Sequence, residues 1–238
     1  MGGNAPQVLI QEVSRRIYNN EVQCALISGG EVLQTMISKL KAGKPLDWED
    51  HPGGSPEIVG INDEGFSSDE KKHFMDLPSN VYPIFANALR SEKSQSSKEH
   101  LKECSELFSK FSKVAEKNSN SWFPKYRSPE EIEKVTDSNR LVGFPYTKYL
   151  NSMIRVNMAS SMIIMSEKLS KELNISQKKK IYLHGSCILN DIWNVSKRPK
   201  LIESPAIKKC GEEVLSQAQV SMDSISVSYT HLRAHETP

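Results

Sequence analysis

Apolar residues recur at helical spacing from the start of the chain. Leu9, Val13 and Ile17 fall four residues apart with Val8 beside them, an apolar stripe on one helical face. Asn4 is placed to cap this helix, Gln7 follows as a capping-box partner, and Pro6 sits in the first turn, where a missing N–H costs nothing. Asn19 and Asn20 interrupt the pattern. Cys24–Ile27 is then a short apolar run, predicted as a strand buried on both faces and stopped by Ser28-Gly29-Gly30. Helix followed by buried strand is half of an α/β crossover unit. From Glu31 to Lys41 the period returns to 3.6, with Val32, Leu33, Met36, Ile37 and Leu40 on one face and Gly43 and Pro45 as the stop.

Between Lys44 and Pro83 the pattern dissolves into a Pro- and Gly-rich stretch that includes HPGGSP, read as a long irregular excursion. Tyr82–Arg90 predicts a short helix, residues 91–100 a polar linker, and Leu101, Cys104, Phe108, Phe111 and Ala115 a second amphipathic helix. A further irregular stretch, 118–146, contains Ser128-Pro129-Glu130-Glu131, a strong helix start. Ser161–Met165 and Lys180–Leu183 are apolar enough for strands, with His184-Gly185 closing the second. Helices are predicted over Glu167–Leu173, ending at Asn174, and over Pro205–Gln219, with Ser204 as cap.

Composition narrows the function classes. The 238 residues carry 31 basic and 29 acidic side chains, a net charge of +2, so nothing in the balance calls for nucleic acid. The basic runs at Lys178–Lys180 and Lys197–Lys200 are short and read as solvated loop edges. No apolar segment approaches the ~18–20 residues of a membrane span, and no secretory signal opens the chain. The four cysteines, Cys24, Cys104, Cys187 and Cys210, are widely spaced without CxxC, which argues against a disulfide framework or a zinc site and for a reducing, cytoplasmic compartment. Val227–Thr237 has neither period nor cap logic; residues 227–238 read as a non-native, adapter-derived tail.

Several words in this order resemble the thiolase superfamily: GGNAPQ at 2–7, ALISGGE at 25–31, Trp122–Pro124, FPYTKYLNSM at 144–153, YLHGSCILND at 182–191, and 204–225 with Asp223. The match is closest to the acetyl-CoA acetyltransferase and thiolase-like branch, related to the sterol-carrier-protein thiolases. The resemblance implies an incomplete, layered α/β/α sandwich with an inserted, mainly helical and irregular loop domain. On that template residues 1–42 are the later part of the N-terminal half, 43–155 the loop domain and 156–226 the start of the C-terminal half. Strands are then missing at both ends, and the isolated chain is expected to expose sheet edges and apolar faces.

Thiolase-like chemistry needs a thiolate at a helix N-terminus, a histidine to activate it and oxyanion holes to hold developing charge. The alignment places the nucleophile position at Gly3, which has no side chain to carry an acyl group. The amides of Gly3–Ala5 remain a place for an anion or thioester oxygen. Among other residues, Cys187 and His184 are the candidates, because both follow a predicted strand end. Cys24 reads as buried core, Cys104 as packing, and Cys210 as part of a charged helix face. Tyr146 and Ser152 fall where thiolases contact the pantetheine of coenzyme A. The resemblance thus implies coenzyme A or acyl-CoA as substrate, no covalently bound cofactor, no metal, and a homodimer or a thiolase-like partner subunit. Two functions stay open: an acetyl-CoA acetyltransferase, or a non-catalytic CoA- or lipid-binding subunit.

Overall fold

The structure, a computed structural model, describes residues 4–48, 53–60 and 64–226. Along the chain the elements are α1 (Ala5–Tyr18), β1 (Cys24–Glu31), α2 (Leu33–Lys41), α3 (Ser68–Lys72), α4 (Pro78–Glu92), α5 (Ser97–Ala115), α6 (Pro129–Glu133), β2 (Leu141–Gly143), β3 (Tyr146–Thr147), β4 (Met158–Met165), α7 (Glu167–Glu172) and α8 (Pro205–Ala218), with 3-10 turns between. They divide into two compact units. One combines the chain before Glu64 with Ile154–Leu189 and the segment from Ala206. The other combines Glu64–Met153 with Asn190–Pro205.

The first unit is built on an antiparallel ribbon of β1 and β4, in register from Cys24 opposite Met165 to Glu31 opposite Met158. The strand therefore runs through Ser28-Gly29-Gly30 instead of stopping there. Small residues opposite, Ala159, Ser160 and Ser161, let the two backbones keep their pairing. Nor is β1 buried on both faces. Helix α1 packs on the ribbon, while Leu26 and its cross-strand partner Ile163 are 66% and 64% exposed. Cys24, expected in the core, is exposed as well. Asn4 holds the N-cap position of α1, but its side chain makes no capping hydrogen bond. The cap of α2 comes from far along the chain: Asn157 Oδ1 accepts from the Thr35 amide at 3.1 Å, and its amide donates to Thr35 Oγ1 at 2.7 Å. Lys180–Leu183 forms no strand; Ile181 is 99% exposed and pairs with no ladder. Ser166 caps α7, and Asn174 closes the turn behind it in the left-handed region, at φ 53°.

In the second unit two capping boxes organise residues that read as irregular or linker. Ser67 and Glu70 bond reciprocally at the start of α3, and Ser96 and Glu99 do the same at α5. Half of the supposed linker is thus the first turn of a helix, because the S-x-x-E pattern satisfies two orphan amides at once. Ser128 caps α6 as expected, accepting from the Glu131 amide. Asn139 ties α6 to the β2–β3 hairpin, and Ile132 and Leu150 are buried nearby.

At Gly143 the backbone passes close against α4. A Cβ there would lie 2.5 Å from the Ser79 carbonyl oxygen and 3.1 Å from Pro83 Cγ, both on α4. Backbone cannot yield as a flexible side chain would, so Gly143→Ala is expected to destabilise this unit by about 1–3 kcal/mol. A urea midpoint unchanged from the parent chain would contradict that packing.

Candidate functional site

Helix α5 carries His100 and Cys104 one turn apart, so both side chains rise from the same face. Tyr146 reaches them from β3, just after the cis Phe144–Pro145 bond. Its hydroxyl lies 3.0 Å from His100 Nε2, and Cys104 Sγ lies 3.6 Å from the same nitrogen. The two rings are tilted, with centroids 6.0 Å apart. The corner before Tyr146 is fixed as well: Asn87 Nδ2 donates to Pro83 O at 2.8 Å and to Phe144 O at 3.3 Å.

Burial sets the charge of this cluster. It lowers the His100 pKa, with Arg90 and Lys93 acting in the same direction against Glu103. It raises the Cys104 thiol, helped by Glu103, and raises the Tyr146 phenol, helped by Cys104. All three groups are therefore neutral near pH 7. A neutral thiol is a poor nucleophile, so the trio holds Tyr146 in place and does not supply a thiolate. The tip of Tyr146 is turned inward onto α5, whereas Phe144, Ser152 and Met153 are exposed. Asn151, between them, donates to the Thr147 carbonyl at 2.7 Å.

The other expected site residues lie apart. Gly3, the first residue of the Gly3–Ala5 amide site, is outside the described residues, as is the 227–238 tail. His184 is exposed, and no strand precedes it. Cys187 is half-buried, and its thiol meets that of Cys210 on α8. Residue reading missed His100, because its partner Tyr146 is 46 positions away and no motif joins them. The one available signal was its four-residue spacing from Cys104 on an apolar stripe.

On the ribbon, Ser28, Gly29 and Gly30 with Ala159, Ser160 and Ser161 line a shallow depression of about 460 Å³. Among the described residues, no group of three or more His, Cys, Asp or Glu side chains could hold a metal ion. No described helix is long and apolar enough to cross a membrane.

No protein-family model matches the chain, and no curated protein matches it in sequence. Among solved structures the answer is clear. The fold is α/β and thiolase-like. The crystal structure of a monomeric SCP2-thiolase like protein type 1 from Mycobacterium smegmatis matches with a TM-score of 0.68 and 26% sequence identity, over 95% of this chain and 42% of that one. This chain thus spans about two fifths of the length of that protein. The homodimer implied by the sequence has no counterpart in that neighbour, which is a monomer.

Proposed function

We propose that this chain is part of an acyl-CoA-handling protein of the thiolase-like kind, in which binding of the coenzyme outlasts the usual chemistry. The carrying observation is the thiolase-like fold over 95% of the chain. A glycine at position 3 supports the non-catalytic side of the reading, since acyl transfer through a covalent thioester needs a side chain there. Cys104 offers no replacement, as its thiol is raised and hydrogen-bonded within the unit. On this reading the turn from Phe144 to Met153 is the contact for pantetheine: Ser152 offers a hydroxyl at the exposed surface, and Tyr146 shapes the turn from behind, anchored on His100.

Titration calorimetry with coenzyme A tests the proposal. Saturable heat is expected, with Ser152→Ala weakening the complex roughly five- to tenfold through one lost hydrogen bond. Tyr146→Phe removes only the phenol and should weaken it less than Tyr146→Ala. A flat titration of the parent chain would remove the reading. The acetyl-CoA acetyltransferase alternative is judged separately, by thiolysis of acetoacetyl-CoA in the presence of coenzyme A: no turnover is expected, and measurable turnover would reinstate catalysis.

A further inference from the structure

The segment after Leu183 lies against α8 more tightly than a loop requires. A Cβ on Gly185 would sit 2.9 Å from the Val214 carbonyl oxygen and 3.1 Å from Gln217 Cβ, so only glycine permits this approach. The Ser186 amide then donates to Gln217 Oε1 at 3.0 Å. On a helix, positions 210, 214 and 217 share one face. The chain thus runs along that face, and the next residue, Cys187, brings its thiol onto that of Cys210. Both thiols are free and partly accessible. The other two cysteines stand elsewhere, Cys24 at the start of β1 and Cys104 on α5.

We propose that Cys187 and Cys210 form a dithiol pair that closes a disulfide under oxidation and staples the 185–187 segment to α8. With glutathione disulfide as oxidant the step balances. One thiol loses its proton to solvent and attacks a glutathione sulfur, expelling glutathione thiolate. The second thiolate attacks the protein sulfur of the mixed disulfide, forms the Cys187–Cys210 bond and releases the second glutathione. Two protein thiols are oxidised and one glutathione disulfide is reduced to two glutathiones. Either thiol can attack first, and the other then resolves the mixed disulfide.

The experiment equilibrates the reduced 238-residue chain with glutathione disulfide in native buffer, followed by thiol counting and mass mapping of unreduced peptides. One cross-linked species should join the Cys187 and Cys210 peptides, with no lasting glutathione adduct on either. Cys187→Ser should leave Cys210 glutathionylated, because nothing resolves the mixed disulfide. Cys210→Ser should likewise leave Cys187 glutathionylated. Gly185→Ala, which lifts the segment off α8, should slow closure while leaving both thiols present. Four intact thiols, a stable adduct at Cys187 or Cys210 of the parent chain, or links from either of them to Cys24 or Cys104 would each overturn the pair.

Discussion

Asn139→Ala is expected to cost the second unit about 3–5 kcal/mol. Asn139 is 1% exposed. Its side-chain amide donates to the carbonyls of Glu131, Ile132 and Lys134 at 3.3, 2.9 and 2.9 Å, and its Oδ1 accepts from the Tyr149 amide at 2.9 Å. One side chain therefore closes the carbonyl end of α6 and fastens the hairpin's far side to it. Removing it strands a backbone N–H and several carbonyls where water reaches poorly, and each orphaned group costs roughly 1–3 kcal/mol. Thr147 Oγ1 still donates to the Ile132 carbonyl at 2.7 Å, so that oxygen keeps one partner and the loss stays below the full sum. Asn139→Asp discriminates the cause. A carboxylate keeps the acceptor for Tyr149 but faces three carbonyl oxygens without a donor, so it should lose at least as much as alanine at neutral pH. Urea denaturation of both variants checks this; a loss under 1 kcal/mol for either would show that the knot carries little of the fold.

What could be read from residues alone was mostly what is local. Ser128-Pro129-Glu130-Glu131 announces α6 because cap, proline and first-turn charge all act within one turn, and the structure keeps each of them. The 3.6-residue stripes of α1, α2 and α5 are legible for the same reason. The errors concern partners. Lys180–Leu183 has a strand's composition, yet a strand needs a neighbour to bond, and Ile181 finds none. Ser28-Gly29-Gly30 has a turn's composition, yet β4 pairs straight through it. Burial of Cys24 was inferred from the apolar run around it, and a two-stranded ribbon with a helix on one face cannot bury a strand twice. The polar joints were hidden by distance: Asn157 caps α2 across 122 residues, and Tyr146 reaches His100 across 46. The overall fold was nonetheless legible, from ordered words shared with thiolases and not from periodicity. The site was legible only as a region, since which way Tyr146 turns depends on α5.

Glu70 makes the stability of the second unit depend on pH. Its carboxylate is 3% exposed and accepts four hydrogen bonds: from the Ser196 amide at 2.8 Å, the Ser196 hydroxyl at 2.9 Å, Asn194 Nδ2 at 3.0 Å and the Ser67 amide at 2.7 Å. One residue thus completes the capping box of α3 and holds the 194–196 turn, 124 positions away. The backbone amides of Ser196 and then Ser67, outweighing burial, bring its pKa down from 4.5 to about 2. A depressed carboxylate pKa means that the unfolded chain takes up the proton first. The stabilisation, about 3 kcal/mol, is therefore fully present above pH 4.5 and is lost as the pH falls toward 2. Protonation removes acceptor capacity and sets an O–H against donors. Glu70→Gln mimics that state at every pH, because its amide nitrogen faces donors that need an oxygen. The variant should be less stable than the parent by about 2–3 kcal/mol at pH 7, with the gap closing between pH 4.5 and 2. Denaturation midpoints of parent and variant, measured in parallel across that range, decide it. A gap that stays constant with pH would mean that Glu70 supports the fold by shape alone, and its charge would be irrelevant to how α3 and the 194–196 turn are held.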